Sequence, residues 1–147
     1  MNTSDVAKLR EETGAGVMDC QRALKDAAGD FEKAKQLIIE RGADKATKRA
    51  ERKTGSGTLA SYLHNGRIGV LVEVRCETDF VAQNSVFQEL AHQIAMQIAS
   101  MDPSDITALM EQLYVKDESL KISDLVNQAI AKTGENIRIE RFCRYEI

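Results

Sequence analysis

The chain has 147 residues, of which 43% are hydrophobic and 29% are charged, and its net charge at pH 7 is −3. This length suffices for one good core or for a medium and a small domain, and the slightly acidic balance gives no reason to expect a nucleic-acid or membrane partner. No apolar run reaches membrane-spanning length, and the N-terminus resembles neither a signal peptide nor a transit peptide, so we expect a cytoplasmic protein.

Residues 1–42 are predicted to form three short helices. Polar residues and glycines mark their ends: Thr3 or Ser4 and Gly14 bound the first helix, Gly29-Asp30 breaks the second after Val17 to Ala28, and Asp30 and Gly42 bound the third. Residues at helical spacing are predicted to face inward: Val6, Leu9 and Thr13, then Val17, Leu24 and Ala27 or Ala28, then Phe31, Ala34, Leu37 and Ile38. Such a bundle buries little surface, which favours a docking module over a catalytic scaffold.

The loop at residues 13–18 joins the first two helices and contains two glycines. Two interpretations of this loop remain open. In one, the glycines allow close backbone approach, and Val17 and Met18 present apolar side chains to a partner. In the other, Gly14 caps a helix, Gly16 permits a tight turn, and Val17 and Met18 belong to the core.

Residues 43–57 form the predicted linker, which is charged and contains glycines at its end. Its basic residues are Lys45, Lys48, Arg49, Arg52 and Lys53. Such a run can meet phosphates, but no aromatic residues interleave with it to stack on bases. We therefore favour a solvated helical extension or a hinge-like linker.

From residue 58 the pattern changes to that of a β-hairpin. Residues 58–64 and 67–76 flank the pair Asn65-Gly66, which suits a type I′ turn. Alternate residues of the second strand share one apolar face: Ile68, Val70, Val72, Val74 and Cys76.

The segment Cys76–Ala82 is the corner between this strand and a long helix. An aromatic held between two rigid elements and pointing outward has little conformational entropy left to lose on binding, so Phe80 is a candidate anchor. In the other interpretation Phe80 turns inward and plugs the corner. The sequence around Phe80 leaves both interpretations open.

The rest of the chain is predicted to add helices and one strand. The helices cover residues 85–101, 104–113 and 123–134, with Ser85 and Gln88 in a capping box, Ser123 as the last cap and Gly134 as the last stop. The final strand, Ile137–Ile147, has mostly apolar odd positions, while Phe142 lies on its charged face. Three antiparallel strands with helices on one face make an α+β domain, and exposed strand edges with Phe142 favour a protein–protein contact.

No catalytic constellation is present in the sequence. There is no nucleophile elbow, and no glycine-rich loop leads from a strand into a helix. Cys20, Cys76 and Cys143 lie far apart, as do His64 and His92, so we expect no disulfide framework, metal site or cofactor. The residues alone indicate an interaction protein.

Three strings resemble motifs of the bacterial elongation factor Ts family. Residues 9–20 read LREETGAGVMDC and are followed by Ala23-Leu24, and residues 76–82 read CETDFVA. The closing run at residues 129–137, AIAKTGENI, also resembles this family. The match covers nearly the whole chain, and several long strings in the right order are far more specific than one short motif.

The resemblance implies a guanine-nucleotide exchange factor for elongation factor Tu, without catalytic chemistry or a cofactor of its own. The fold it implies is an N-terminal three-helix bundle of the ubiquitin-associated type and an α+β core with a three-stranded antiparallel sheet. The bundle would bind the partner's nucleotide-binding domain through Thr13, Gly14, Ala15, Gly16, Val17, Met18 and Asp19. The corner would displace Mg²⁺ from the partner through Thr78, Asp79, Phe80 and Val81. The partner would bind in its GDP-bound and nucleotide-free forms, and GTP would rebind after GDP leaves.

The chain is shorter than the pattern of this family, whose members often have a second half-core and a helical-hairpin insertion. Here only a short segment separates Met101 from the last helix. We therefore expect a homodimer in which the sheets meet and Phe142 and Cys143 lie at the interface. The predicted organisation is a docking bundle at residues 1–42, a charged linker at 43–57, and a core for dimerisation and exchange at 58–147.

Two other classes of protein remain open. A general adaptor would bind its partners through the bundle alone and would not need Asp79 and Phe80. A thiol enzyme would need a reactive cysteine, whereas core packing explains the positions of all three cysteines in this sequence.

Overall fold

The computed structural model describes residues 2–147, so Met1, the first residue of the predicted bundle, lies outside the described residues. The N-terminal part folds as three helices, α1 (Thr3–Thr13), α2 (Val17–Asp26) and α3 (Phe31–Arg49). Their buried residues form a hydrophobic cluster of their own: Val6, Leu9, Cys20, Ala23, Leu24, Ala27, Ala34 and Ile38. The predicted three-helix region is confirmed.

The caps of these helices agree in part with the prediction. Gly14 ends α1 in the left-handed conformation, and the Asp30 side chain caps α3 by accepting from the Lys33 amide at 3.0 Å. The cap of α1 is Asn2, whose side chain accepts from the Ser4 amide at 3.3 Å, so the prediction of Thr3 or Ser4 is wrong.

Helix α3 continues through Gly42, so the predicted stop at this glycine is wrong. Gly42 is buried where α3 packs on α7 (Ile122–Thr133), and a Cβ there would stand 3.8 Å from the Asn127 carbonyl oxygen. Ile39 and Ala46, on the same helical face, also pack against the larger core. This contact offsets the helix penalty of glycine, about 1 kcal/mol. The division at residues 42 and 57 stays a prediction.

The central sheet contains β1 (Ser56–His64), β2 (Ile68–Cys76) and β5 (Arg138–Glu146) in the order β1-β2-β5, with antiparallel pairing throughout. Asn65 and Gly66 both have positive φ, 52° and 65°, so the predicted hairpin turn is confirmed. The predicted α+β class with a three-stranded antiparallel sheet is also confirmed.

Helices cover one face of this sheet. The remaining elements are α4 (Asp79–Ala82), α5 (Ser85–Met101), α6 (Ile106–Glu111), β3 (Leu113–Tyr114) and β4 (Asp117–Lys121). Buried residues of α5, among them Phe87, Ile94 and Ile98, join Val72 and Val74 of β2 in the larger hydrophobic cluster. This packing holds α5 against the sheet and fixes the end of β2 beside the start of α5.

The hairpin formed by β3 and β4 was not predicted from the sequence. Gln97 of α5 is fully buried and holds this hairpin, donating to the Leu113 carbonyl and accepting from the Val115 amide, both at 3.0 Å. The strands are too short to give an alternating pattern. A buried glutamine on a helix gives no sign in the sequence of which backbone it will meet.

Two predicted caps are wrong. Asn84 caps α5 by accepting from the Val86 amide at 2.8 Å, whereas Gln88 donates to the Ala82 carbonyl. Helix α7 begins one residue before Ser123, and its first turn is closed by Asp124, which accepts from the Lys121 amide at 2.9 Å.

A β-bulge in β5 changes which side chains face the helices. Val74 is opposite Ile139 and Glu73 is opposite Arg141, so one extra residue, Glu140, lies between them. Beyond the bulge Phe142 is opposite the buried Val72. The predicted position of Phe142 on the charged face is therefore wrong, because Phe142 packs against the core.

Candidate functional site

The corner after β2 is a single helical turn, α4, and one aromatic ring of this turn points into solvent. Thr78 caps this turn, and its side-chain oxygen accepts from the Val81 amide at 3.3 Å. Val81 and Ala82 are buried in the larger core, whereas Phe80 is 85% exposed. The turn thus gives the inward positions to small aliphatic side chains, and the inward interpretation of Phe80 is wrong.

Hydrogen bonds hold both sides of the corner. The Asp79 carboxylate accepts from the Ser56 hydroxyl at 2.8 Å, which ties the corner to the start of β1. The carboxylate of Glu135, in the loop after α7, accepts from the amides of Glu77 and Thr78 at 3.1 and 3.0 Å. Sequence reasoning gave Glu135 no role, although this residue lies in the closing run that resembles the family.

The loop between α1 and α2 is shaped by Thr13 and Gly14. Thr13 is buried, and its hydroxyl donates to the Leu9 carbonyl at 2.6 Å and accepts from the Ala15 amide at 3.2 Å. Gly14 has φ 67°, a conformation that L side chains rarely adopt. Gly16 has φ −64°, so the turn requires a positive φ at Gly14 and not at Gly16.

The residues after the loop present an apolar surface. Met18 is 60% exposed and Val17 is 42% exposed at the first turn of α2, so the expectation that Val17 faces the core is wrong. Cys20 takes the core position instead and is fully buried. Asp19 accepts from the Lys45 ammonium at 3.1 Å, which ties this turn to α3.

The end of α7 brings the loop and the corner together. The end of the Lys132 side chain lies where a Cβ of residue 14 would stand, so this lysine contacts the Gly14 backbone. Glu135, three residues later, contacts Thr78. Three residues of chain span at most about 10 Å. All three strings that carry the family resemblance therefore meet around the C-terminal end of α7.

Part of the predicted basic run pairs with groups of the chain itself. Lys45 bonds to Asp19, and Arg52 donates to the Gly134 carbonyl at 3.2 Å and pairs with Glu77 at 3.6 Å. The Arg52 pairs hold the segment after α3 beside the corner. Lys45 and Arg52 are therefore less available to bind phosphates.

The buried cysteines are poor nucleophiles. Cys20 and Cys76 are both fully buried, and burial is the main cause that raises the pKa of each thiol. Nearby carboxylates, chiefly Glu135, raise the pKa of Cys76 further. Cys143 is exposed, so the expectation that core packing explains all three cysteines is wrong.

The second face of the sheet carries an uncovered apolar patch. Cys143 is opposite Leu71, and the exposed Leu59 and Leu63 lie on the same face of the neighbouring strand. Tyr145, 77% exposed, extends the patch along β5. Phe142 lies on the other, covered face, so the two residues predicted for a dimer interface are on opposite sides of the sheet.

Neither a metal cluster nor a membrane span occurs in the described part of the chain. Among residues 2–147, no group of three or more His, Cys, Asp and Glu side chains is placed to hold a metal ion. Within the same residues, no helix combines the length and the apolar character needed to cross a membrane.

Comparison with known proteins gives one consistent result. The family model described as Elongation factor TS matches residues 77–147. The chain is 42% identical to elongation factor Ts of Thermotoga petrophila and of Thermotoga maritima over 186 aligned positions, covering 97% of this chain and 94% of each relative. It is 40% identical to elongation factor Ts of Fervidobacterium nodosum over 188 positions, covering 97% of the chain and 95% of that relative. These alignments are longer than the 147-residue chain, so the relatives contain residues that this chain lacks.

Proposed function

Because the chain belongs to the elongation factor Ts family of translation elongation factors, we propose that it binds elongation factor Tu carrying GDP and promotes release of the nucleotide so that GTP can bind. The observation that carries this proposal is the exposed ring of Phe80 at a corner that the rest of the fold holds in place. We expect this activity in the cytoplasm, and it requires no covalent chemistry by the chain itself.

The corner acts on the Mg²⁺ and phosphate site of the partner. Bound nucleotide phosphates are held jointly by backbone amides, a lysine and Mg²⁺, so disturbing the metal weakens the whole set of contacts. Phe80 enters the partner as an apolar wedge. Thr78 and Val81 hold the turn from within, and Asp79 fixes its geometry through Ser56 rather than by binding the metal. A single carboxylate competes poorly with phosphate oxygens and water for Mg²⁺.

The loop and the first turn of α2 provide affinity for the partner. Met18 and Val17 form the apolar contact, because both are exposed beside the loop. Thr13, Gly14, Ala15 and Gly16 shape the loop, and Asp19 fixes the turn to α3 through Lys45. Since the loop and the corner meet at the end of α7, one partner surface can contact both.

A binding competition tests the proposed function. An exchange factor and GDP must weaken each other's binding by the same factor. The chain is therefore expected to bind nucleotide-free elongation factor Tu more tightly than the GDP-bound form, and added GDP with Mg²⁺ should dissociate the complex. Calorimetric titration of both forms measures the two affinities. Equal affinities would exclude an exchange function while leaving a simple binding role.

A homodimer through the open sheet face completes the proposal. One exposed face carries Leu59, Leu63, Leu71, Cys143 and Tyr145, and two such faces can pack about 10 Å apart as in a β-sandwich. A second copy would also supply partner contacts for which this shorter chain lacks residues. Phe142 supports the interface from the covered side by packing beneath the strand.

Thiol titration of the native protein tests the dimer. At low protein concentration the exposed Cys143 is expected to react rapidly, whereas Cys20 and Cys76 react only on unfolding because a raised pKa keeps a buried thiol protonated near neutral pH. As the concentration rises, the Cys143 rate should fall with the fraction of monomer. Cys143→Ser is the control and should remove the fast phase. A fast phase independent of concentration, with a monomer in sedimentation, would contradict the dimer.

A further inference from the structure

One carboxylate from a distant part of the sequence holds the backbone that leads into the corner. One oxygen of Glu135 accepts from the amides of Glu77 and Thr78, and the other accepts from the Thr78 hydroxyl at 2.7 Å. Hydrogen bonds to an ionised acceptor are shorter and roughly twice as strong as neutral ones. Glu135 thus gathers three donors from two consecutive residues.

These bonds continue into the turn that carries Phe80. The Thr78 oxygen that donates to Glu135 also accepts from the Val81 amide at 3.3 Å. Phe80 lies between the two ends of this chain of hydrogen bonds. Because its ring is 85% exposed, its direction is set by the backbone of α4 rather than by packing of the ring. Glu135 therefore constrains the ring through the backbone.

A reciprocal set of hydrogen bonds ties the same corner to the segment that follows α3. The Glu77 carboxylate accepts from the Asn136 amide at 2.7 Å. Asn136 is buried, and its side chain donates to the carbonyls of Ala50 and Arg52 at 3.3 and 2.9 Å. The loop after α7 therefore connects the corner to the residues that directly follow α3.

We propose that Glu135 is a positioning residue that orients Phe80 for nucleotide release. This inference rests on the proposed exchange function and adds a residue to it. Glu135 remains behind the corner, and its effect on the partner passes through the ring. Loss of its carboxylate would let the α4 turn rotate and displace the Phe80 ring. A small displacement of a group that takes part in a reaction can lower its rate by a large factor.

Glu135→Ala and Glu135→Gln separate positioning from general stability. Alanine removes all three acceptor contacts, whereas the glutamine oxygen can still accept from both amides and its NH₂ group can donate to the Thr78 hydroxyl. We expect Glu135→Ala to lower the maximal rate of stimulated GDP release roughly tenfold, with the half-saturating concentration changed by less than about twofold. Glu135→Gln should retain the rate within about threefold.

Asp124→Ala is the matched control, because Asp124 also accepts from a backbone amide but at the opposite end of α7. This variant should lower the melting temperature without lowering the maximal rate. The second comparison combines Glu135→Ala with Phe80→Ala. If Glu135 acts through the ring, its loss should change the rate by less than about twofold once the ring is absent. Hydrogen exchange at the Glu77 and Thr78 amides should become roughly tenfold faster in Glu135→Ala, independently of any partner.

The outcomes distinguish this inference from the function on which it rests. Wild-type protein that does not accelerate GDP release overturns both. In a second outcome, the wild-type chain accelerates release, but Glu135→Ala lowers the release rate by the same factor with and without the Phe80 ring. That outcome overturns the positioning role alone. The same is true if Asp124→Ala, at an equal loss of melting temperature, reduces the maximal rate as much as Glu135→Ala does.

Discussion

Replacing Phe80 with alanine is expected to slow stimulated GDP release by about tenfold or more, the scale of a central interface anchor, without lowering the melting temperature. The ring is 85% exposed in the free chain, so its removal leaves no cavity in the core. In the complex, burial of such a ring is worth about 1.5–3 kcal/mol. In the proposed mechanism much of that free energy goes into opening the nucleotide site, so binding to nucleotide-free partner should fall less than release does.

Met101→Ala provides the control for this experiment. Met101 is 49% exposed and lies at the far end of α5, about 25 Å along the helix from the corner. Its replacement should leave release unchanged. Stopped-flow release of a fluorescent GDP and a melting curve are measured for each variant. A wild-type release rate for Phe80→Ala would show that the ring does not act as a wedge. A large drop in melting temperature would show that Phe80 has a structural role instead.

Met18→Asp is expected to have the second-largest effect, acting on affinity rather than on the maximal rate. Met18 is 60% exposed beside the glycine loop, and a carboxylate at this position would have to be desolvated at an apolar contact. We expect the half-saturating concentration in GDP release to rise roughly tenfold or more. Stability should hold, because an acidic residue is favourable in the first turn of a helix.

The matched control is Met18→Leu, which keeps an apolar side chain of similar size. Its half-saturating concentration in stimulated GDP release should stay close to that of the wild-type chain. The dependence of the release rate on protein concentration separates the two parameters. A Met18→Asp variant with an unchanged half-saturating concentration would show that the first turn of α2 lies outside the contact.

Much of the fold follows from local sequence patterns. Asn65-Gly66 specifies its hairpin turn through backbone conformation, and the apolar period of α5 specifies the helix that covers the sheet. The larger errors arise where contacts between distant segments decide the structure. Gly42 stays helical because α7 packs against it, and the bulge at Glu140 reverses the side of the sheet that Phe142 faces. Neither the helix contact at Gly42 nor the bulge at Glu140 can be recognised from the neighbouring sequence.

The candidate site, too, could be predicted from local sequence patterns only in part. The motifs around Met18 and Phe80 can be found in the sequence, but whether these side chains point inward or outward depends on how their turns sit on the core. In the structure Val81 and Ala82 take the buried positions of α4, so Phe80 points outward. Glu135 is 57 residues from Thr78 along the chain, so a local pattern does not connect them. Its role becomes visible only when the end of α7 is placed beside the corner.

Stopped-flow kinetics measure whether this chain accelerates loss of GDP from elongation factor Tu, as we propose. Elongation factor Tu loaded with fluorescent GDP is mixed with excess unlabelled GDP and increasing amounts of the wild-type chain, in Mg²⁺-containing buffer. The release rate is predicted to rise with chain concentration and to saturate as the complex fills. A release rate that stays at its intrinsic value, at concentrations where the chain is bound to elongation factor Tu, would contradict the proposed exchange function.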